Sequence, residues 1–538
     1  MNDAAGNVAA MNRALPNHGN LIKDLKFLTP DAAVDLSNCD REPIHIPSAI
    51  QPHGMLIAAR SPDFRIVYAS ENTTQFLGMA AEVVLDQTLS ELLGQKAVAI
   101  VMKSLEGEQY PPSNILTLKL PIGAGLRFDV LAHRIEGLIC LEFETAATER
   151  SWDVLSIQMM KAIGELRAPT TVLGLCAAAS RLIRELTGYD RVMVYRFDAD
   201  GHGEVVAEEK AKEMEPFLGL HYPATDIPQQ ARRLYILQRI RMIVDVGYQP
   251  VPIVAKTGLP ADKPLDMTFC GLRSVSPIHI EYLKNMGVGA TLGVSLIQRD
   301  ELWGMILCHH RTPKCPSPEL RALCEILGQL ISSLMAAVLA GEEFSERRVK
   351  KALLEVLGAA IEPRNSIGTA LAREEKVMLA LVGAEGAFVS IGGKMRLFGK
   401  TPTLEDANHM MSALHPSLVN GIAYSDDLGT LFPEFAHLSW VASGALLVQF
   451  VDEPCDGVLW FRGEFAQTVS WAGKPDASKK LSPDAMPLSP RRSFALWEQV
   501  QCGRSQPWRP SEIEAAQALQ NIVVRALLQR TEARDWAY

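Results

Sequence analysis

The sequence lacks the two features that would place it at a membrane. Nowhere do about 18 apolar residues follow one another, and the first twenty residues have no apolar core of the kind found in signal peptides. Clusters of lysine and arginine are also missing, and 62 acidic against 53 basic residues give a net charge of -9. This charge disfavours nucleic acid and membranes as partners, so we expect a cytoplasmic protein.

Paired cysteines and the common catalytic motifs are missing as well. The nine cysteines are scattered and never form a CxxC pair, which predicts reduced thiols and no structural zinc site. No nucleophile elbow, HExxH motif, P-loop or kinase nucleotide motif occurs. We therefore expect neither metal ligands nor enzymatic activity in this chain.

What the sequence does have is enough apolar material for several cores. It contains 538 residues, 48% of them hydrophobic, in alternating strand-like and helical patterns. This predicts an α+β protein with antiparallel sheets flanked by helices. We expect a mobile polar leader over residues 1–30 and domains over residues 31–150, 151–340 and 341–538, with a strand at residues 377–381.

Two long helices are predicted near the domain ends. Ser317 and Pro318 form a helix start, and an apolar stripe continues from there across the boundary near residue 340. Ser511 and Glu514 form a capping box that opens a final amphipathic helix. Such helices pack against their own domain or against a second subunit, and we favour a parallel homodimer.

A stiff loop followed by a basic helix is predicted over residues 221–246. Pro223 and Pro228 bracket Asp226, and residues 229–243 have a helical pattern that carries four arginines. Two interpretations are open at this point. Either the arginines form a solvated face and Asp226 caps the helix, or they bind carboxylates or phosphates beside a carboxylate on a rigid loop.

Polar residues also interrupt apolar patterns further along the chain. Arg273, Ser276, His279 and Tyr282 would line a ligand site if they shared one side of a cleft. His309 alternates with apolar residues on one face of a predicted strand. For each of these residues, a hydrogen-bonded position in a core is the simpler interpretation. Cys39 stands alone in a segment with neither a helical nor an alternating pattern. Taken by itself, it is interpreted as an incidental surface thiol.

Taken together, six segments resemble the photosensory core of the bacteriophytochromes, from about residue 30 to residue 530. They are CDREPIHIPSAIQPHG, GYDRVMVYRF with GEVVAE, HYPATDIPQQARRLY, LRSVSPIHIEYLKNMGVG, LWGMILCHH and SPRRSF. The resemblance implies PAS, GAF and PHY domains in this order, with the N-terminal segment threaded through a loop of the GAF domain. It also implies a tongue over about residues 458–510 that seals the pocket.

The resemblance further implies a linear tetrapyrrole, biliverdin IXα, joined to Cys39 by a thioether. Asp226 and Ile227 of the PATDIP motif would lie beside the bilin nitrogens together with His279, while Arg241 and Arg273 would bind the propionates. The other residues that it implies are Tyr195, Tyr222 and Tyr282 around ring D, His309 at the ring D carbonyl, and Tyr235, Ser276 and Thr291 near the propionates.

Some positions depart from the family's pattern. Thr225 replaces the usual serine of the PATDIP motif, and WAG at residues 471–473 replaces the commoner WGG. Thr291 and Gly293 stand where relatives often have two serines, so the second propionate would rely on Thr291, His279 or water. Leu220 stands where far-red-stable relatives carry a polar residue, which favours a red-absorbing dark state.

The resemblance thus implies a red/far-red photoreceptor that signals by Z/E isomerisation and refolding of the tongue. Arg491 and Ser493 would alternate as partners of Asp226 in the two states. The alternative is a PAS/GAF sensor of a diffusible small ligand, without photochemistry. Relatives commonly continue into a histidine kinase of a two-component system, but no kinase residues occur in this chain, and its output partner stays open.

Overall fold

The fold is taken from a computed structural model that describes residues 27–28, 38–106, 115–120, 127–146, 152–198, 200–257, 264–361, 366–451, 456–465, 467–473, 494 and 496–535. The chain divides into two compact units. The first unit is drawn from Met1–Ala337 and Ser470–Trp497, and the second unit is drawn from Val338–Val469 and Glu498–Tyr538.

Helices and antiparallel strands alternate along the described residues. The strands are β1 (Ala49–Ile50), β2 (Gly54–Arg60), β3 (Ile66–Ser70), β4 (Ile115–Lys119), β5 (Arg127–Ile135), β6 (Leu138–Thr145), β7 (Arg191–Phe197), β8 (Gly203–Lys210), β9 (His221–Tyr222), β10 (Ile240–Ile243), β11 (Val251–Ala255), β12 (Ala290–Gln298), β13 (Glu301–His310), β14 (Gly386–Ile391), β15 (Lys394–Gly399), β16 (Ile422–Ser425), β17 (Gly444–Gln449), β18 (Gly457–Arg462), β19 (Gln467–Ala472) and β20 (Leu496–Gln501). The α-helices are α1 (Thr73–Leu77), α2 (Ala81–Leu85), α3 (Leu89–Leu93), α4 (Gln95–Ser104), α5 (Trp152–Leu166), α6 (Val172–Thr187), α7 (Gln229–Leu237), α8 (Pro277–Asn285), α9 (Pro318–Ala360), α10 (Ile367–Arg373), α11 (Glu375–Val382), α12 (Leu404–Leu414), α13 (Leu428–Leu431), α14 (Ser439–Ala442) and α15 (Pro510–Asp535).

The first unit contains a seven-stranded sheet in the order β1-β11-β3-β2-β6-β5-β4. Because side chains alternate along a strand, Leu141 and Phe143 of β6 point to one face, where they form a core with helices α1 to α4. Cys140 and Glu142 point to the opposite face. There Cys140 joins a second core with the segment of residues 265–272.

The N-terminal segment of residues 45–51 passes between two parts of one excursion of the chain, residues 244–276. On one side β1 pairs with β11, and Ile253 N donates to Ser48 O at 2.9 Å. On the other side the segment of residues 267–274 bonds to it, through Met267 N to His45 O (2.8 Å) among other contacts. The excursion leaves the second sheet after β10 and returns to it through α8 and β12. This arrangement is the threading that the resemblance to the bacteriophytochromes implies.

The second sheet of the first unit has the order β10-β12-β13-β7-β8-β9, and His221 of β9 pairs further with Trp471 of β19. Thr171 caps helix α6, since its hydroxyl accepts from Gly174 N at 3.1 Å. Gly188 ends this helix in the left-handed conformation (φ 61°). Strands β12 and β13 form a hairpin.

Two predicted elements are wrong. The helix expected over residues 229–243 ends at Leu237, and Ile240–Ile243 instead pairs with β12 as a strand. The short apolar run of Ile240–Ile243 fits both the helical and the strand periodicity, and its pairing with β12 makes it a strand. The strand expected at residues 377–381 lies in α11, whose buried residues Met378, Leu381 and Val382 have helical spacing.

The second unit is built on a five-stranded sheet in the order β15-β14-β18-β17-β16. Alternation along β18 divides its side chains between two cores. Val458 and Trp460 join the core formed with α11 and α15, while Leu459 and Phe461 join the core formed with α12. A sheet covered on both faces in this way explains why β17 and β18 are continuous apolar runs rather than alternating ones.

Helix α9 would be long and apolar enough to cross a membrane by length and composition alone. An 18-residue window within it has a mean hydropathy of 1.8, and 39% of that window is buried. Leu323, Leu327, Ile331 and Met335 recur at helical spacing and are each at most 6% exposed. The apolar stripe of this helix therefore packs within the protein core.

A buried ion pair in the second unit gives a test of its stability. Arg462 Nη2 lies 2.8 Å from Glu512 Oε2, and both side chains are only 9% exposed. The guanidinium carbon also lies 3.9 Å from the centre of the Trp508 ring. Removing Arg462 leaves the buried Glu512 carboxylate with only the more distant Lys350, whose Nζ lies 3.9 Å from Glu512 Oε1, as its cationic partner among the described residues.

We expect Arg462→Ala to lower the free energy of unfolding by about 3–5 kcal/mol in urea denaturation. The matched control is Arg347→Ala, which breaks the exposed pair with Glu514 at 3.0 Å and should cost less than about 1 kcal/mol. Equal losses in the two variants would contradict this account of the second unit.

Candidate functional site

A cavity of about 590 Å³ lies in the first unit. Strands β7, β10, β12 and β13 contribute to its walls, together with α7, α8 and the loop before α7. On β13, the residues facing the cavity are Met305, Leu307 and His309, which share one face because they alternate. The volume lies within the roughly 300–1,000 Å³ typical of small-molecule sites.

The cavity brings together most of the residues that the sequence singled out. They come from separate segments between β7 and β13, and each contributes to the lining. The predicted residues in this lining are Tyr195, Tyr222, Asp226, Ile227, Tyr235, Arg241, Arg273, Ser276, His279, Tyr282, Thr291 and His309.

Cys39 begins the 3-10 helix Cys39–Arg41. The following residues Asp40, Glu42 and Ile44 contribute to the cavity wall, so the backbone at Cys39 lies next to the cavity. Sequence reasoning missed Glu42, whose side chain hydrogen-bonds to Ser276 while burial raises the pKa of its carboxyl.

Two guanidinium groups give the cavity a cationic wall. Arg273 Nη1 donates to the carbonyls of Met267 (3.1 Å) and Thr268 (3.2 Å), and the Arg241 guanidinium carbon lies 3.2 Å from the centre of the Tyr235 ring. Neither has an ion-pair partner among the described residues, and Arg241 Nη1 is buried without a hydrogen bond. Burial lowers the pKa of both guanidinium groups. At Arg241, the positive charge of Arg273 lowers the pKa further. The wall is thus suited to carboxylates or phosphates.

Two histidines in the cavity are neutral at pH 7. Burial, followed by the charge of Arg241, lowers the pKa of His279 to about 4. Burial also lowers the pKa of His309 to about 3, with smaller effects from Arg191 and His279. His309 is 4% exposed, and its Nδ1 has no partner among the described residues. A buried imidazole of this kind is available for a hydrogen bond to a ligand.

Aromatic rings and one carboxylate complete the lining. The ring centres of Tyr195 and Tyr222 lie 5.7 Å apart, and Tyr282 stacks on His279 at 6.1 Å. The Tyr282 hydroxyl donates to Asp226 Oδ2 at 3.0 Å. Gly203 allows the Tyr195 ring to approach closely, since a Cβ at this position would lie 1.8 Å from Tyr195 Cζ.

Three profiles of known families match consecutive parts of the chain. The profile of the PAS fold matches residues 39–146, the GAF domain matches residues 172–339, and the phytochrome region matches residues 350–532. Cyanobacterial phytochrome B of Nostoc sp. is 37% identical over 517 residues, which cover 95% of this chain and 68% of that protein. The chain belongs to the phytochrome family.

Further relatives support the same assignment for this phytochrome. The bacteriophytochrome of Pseudomonas aeruginosa is 34% identical over 91% of the chain and 67% of its own length. The solved photosensory core module of the Stigmatella aurantiaca phytochrome has a TM-score of 0.81 and 36% identity, covering 93% of this chain and 100% of its own. The crystal structure of a bacteriophytochrome from the photosynthetic bacterium R. palustris has a TM-score of 0.82, with 34% identity over 92% of this chain and 99% of its own.

These similarities confirm the predicted α+β fold with PAS, GAF and PHY domains and support light sensing as the general function of this phytochrome. None of the three matching profiles is that of a catalytic domain. The chain spans about two thirds of the length of these two curated relatives.

Gly293, the departure noted in the sequence, lies beside a cavity arginine in this phytochrome. It lies opposite Arg241 in the pairing of β10 with β12. A Cβ at Gly293 would lie 3.0 Å from Arg241 Nη2, so a larger residue would crowd the guanidinium. Thr291, two residues earlier on the same face, is 9% exposed and lines the cavity.

Part of the predicted tongue also lies beside the cavity within the first unit. The Phe494 ring meets Tyr282 edge-on at 5.2 Å. Trp471 pairs with His221 in the contact between β19 and β9, and its ring lies 5.3 Å from that of His202. The predicted signalling residues Arg491 and Ser493 lie outside the described residues.

The neutral state of the buried histidines predicts how stability depends on pH. His309 binds a proton only near pH 3 in the folded protein but near pH 6.5 when unfolded. Its contribution to stability is therefore fully present above pH 6.5 and is lost as the pH falls below that value, by about 1.4 kcal/mol per pH unit. Glu142 acts in the opposite direction, because burial raises its pKa to about 7.

Comparing the wild type with His309→Gln isolates one histidine from these opposing effects. In urea denaturation of the apoprotein, the variant should lose about 1.4 kcal/mol less than the wild type between pH 6 and pH 5. Equal losses would show that His309 is not buried as a neutral imidazole.

Proposed function

We propose that this chain is the photosensory core of a bacterial phytochrome that binds biliverdin IXα and responds to red and far-red light. The observation that carries the proposal is the convergence of the twelve predicted residues on one cavity of about 590 Å³. That cavity contains paired cations, a buried imidazole with an unused nitrogen and a cluster of tyrosines. A sensor of a small diffusible ligand would not need all of these features together.

The residues fit a dicarboxylate with an extended ring system. Arg241 and Arg273 would bind the two propionates, with Tyr235, Ser276 and His279 beside them, and Thr291 would serve the second propionate where Gly293 has no side chain. Asp226 and the backbone of Ile227 supply acceptors for a cationic set of ring nitrogens. Without such acceptors, a buried cation would be costly.

Cys39 would hold the chromophore through a thioether. Its place next to Asp40 and Glu42, which line the cavity, supports this role. The bond would join the Cys39 sulfur to a vinyl group of the bilin, and the thiol proton would add to that group. The linkage then makes binding permanent, while most of the affinity comes from burial and from the arginines.

When bound, biliverdin would supply absorption of red light and a Z/E isomerisation of its C15=C16 double bond. The chain's own residues must then permit a change at one end of the cavity. Tyr195, Tyr222 and Tyr282 would enclose the moving ring, and the free nitrogen of His309 would bond its carbonyl. The hydrogen bond from Tyr282 to Asp226 links this end of the cavity to the loop before α7.

We further propose that Asp226 exchanges Arg491 for Ser493 as the tongue, about residues 458–510, refolds. The contact of Phe494 with Tyr282 supports a coupling between this segment and the cavity. A switch of this kind requires two forms of the segment that differ by only a few kcal/mol. We expect the protein to act in the cytoplasm as a parallel homodimer with a red-absorbing dark state, passing its signal to an output module of a two-component system.

The direct test is to add biliverdin to the apoprotein and record visible spectra before and after red light. We expect a bound red-absorbing form that converts to a far-red-absorbing form and reverts. Binding without a light-induced change would support the ligand sensor instead, and absence of binding would refute the assignment of the cavity.

Cys39→Ser tests the attachment. The variant should still bind biliverdin and show altered spectra, because the cavity is unchanged, but the pigment should separate from the protein on a denaturing gel. Cys502→Ser, which changes an exposed cysteine outside the cavity, should keep the pigment attached. Pigment retained by Cys39→Ser would assign the linkage to another cysteine.

Arg241 and Arg273 are tested by replacing both with alanine. Charge-assisted hydrogen bonds are worth about 1.5–3 kcal/mol each, so the double variant should bind biliverdin at least tenfold more weakly in a fluorescence titration. Arg347→Ala, a change in the second unit, serves as the control and should bind normally. Unchanged affinity in the double variant would remove both arginines from the site.

A further inference from the structure

A second group of chemically reactive side chains lies on the opposite face of the first sheet from helices α1 to α4, and one of its members, Cys270, also contributes to the cavity wall. His133 on β5, Glu142 on β6 and Cys270 in the excursion of the chain are 2%, 3% and 1% exposed. One donor atom of each lies within 4.8 Å of the others. No local spacing in the sequence reveals this cluster, because its members come from three segments and form no CxxC pair.

The distances within the cluster suit a tetrahedral metal ion. Zinc lies about 2.3 Å from a cysteine sulfur and about 2.0–2.1 Å from a histidine nitrogen, which places the two donors about 3.6 Å apart at a tetrahedral angle. Cys270 Sγ and His133 Nε2 lie 3.7 Å apart. Sulfur, nitrogen and carboxylate oxygen form a donor set that favours zinc over magnesium or calcium.

The hydrogen bonds of Glu142 fix its carboxyl in a position suited to binding such an ion. Its oxygens accept from Gly271 N at 3.1 Å and Leu272 N at 2.6 Å, which fixes the carboxyl beside Cys270. No lysine or arginine forms an ion pair with it among the described residues, so a cation would supply the compensation that the protein does not. The Nδ1 of His133 is likewise buried without a hydrogen bond.

We propose that His133, Glu142 and Cys270 form a binding site for one zinc ion, with a water as the fourth ligand. Cys270 would bind as the thiolate and its proton would pass to solvent, with no change of oxidation state. The ion would join the first sheet to the segment of residues 267–274 that borders the N-terminal segment.

The test uses the apoprotein of this 538-residue chain, because a bilin can itself bind metal ions. After treatment with a chelator, zinc chloride is titrated in competition with a chromogenic chelator. We expect one zinc per chain, with affinity at least tenfold lower in Cys270→Ser and in His133→Gln. Cys502→Ser and Cys308→Ser, which change an exposed and a buried cysteine outside the cluster, should bind zinc as the wild type does.

Cobalt(II) provides a second measurement, and its wild-type spectrum does not depend on whether any variant folds. In the wild-type apoprotein it should give a near-ultraviolet charge-transfer band from a thiolate and visible bands of tetrahedral intensity, and Cys270→Ser should lose the thiolate band. Zinc should also raise the melting temperature of the wild type but not of Cys270→Ser. Absence of the cobalt band in the wild type, or equal zinc binding in Cys270→Ser, would overturn the proposal and leave a hydrogen-bonded core cluster.

Discussion

The cavity depends on how the segment of residues 45–51 is held. Gln51, only 1% exposed, donates from Nε2 to Met242 O at 2.9 Å and accepts from Val244 N at 3.2 Å. A buried amide must satisfy its hydrogen bonds, so this contact fixes β10 relative to the N-terminal segment. Ile50 forms a bridge with Arg273 in the same region. The backbones that carry both cavity arginines are therefore aligned by one short stretch of chain.

This alignment brings two guanidinium groups close together in the cavity. Two guanidinium groups and two neutral imidazoles share a buried space whose lining also contains the acidic residues Asp40, Glu42 and Asp226. Burial lowers the pKa of Arg241, Arg273, His279 and His309 alike, so the protein resists additional positive charge there. Carboxylates brought by a ligand would relieve that cost, which makes the site selective for an anionic molecule.

The two units use buried arginine in different ways. Arg462 donates to Gly383, Gln506 and Pro507 carbonyls and pairs with Glu512, so its hydrogen bonds are satisfied within the protein. Arg241, in contrast, keeps a buried Nη1 without a partner. The first pattern is that of a structural residue and the second is that of a ligand-binding residue, although residue type and burial are similar.

The sequence by itself determined the α+β class and the long helix from Pro318, because these depend on local patterns. It indicated the residues of the cavity only through the resemblance of its motifs to those of the bacteriophytochromes. Tertiary structure decided what those patterns leave ambiguous. Arg241 lies on a strand and not on a helix because Ile240–Ile243 pairs with β12, and such pairing involves residues about 50 positions away. The cluster of His133, Glu142 and Cys270 likewise exists only because the excursion of the chain covers the first sheet, a contact between segments more than 100 residues apart that no local spacing encodes.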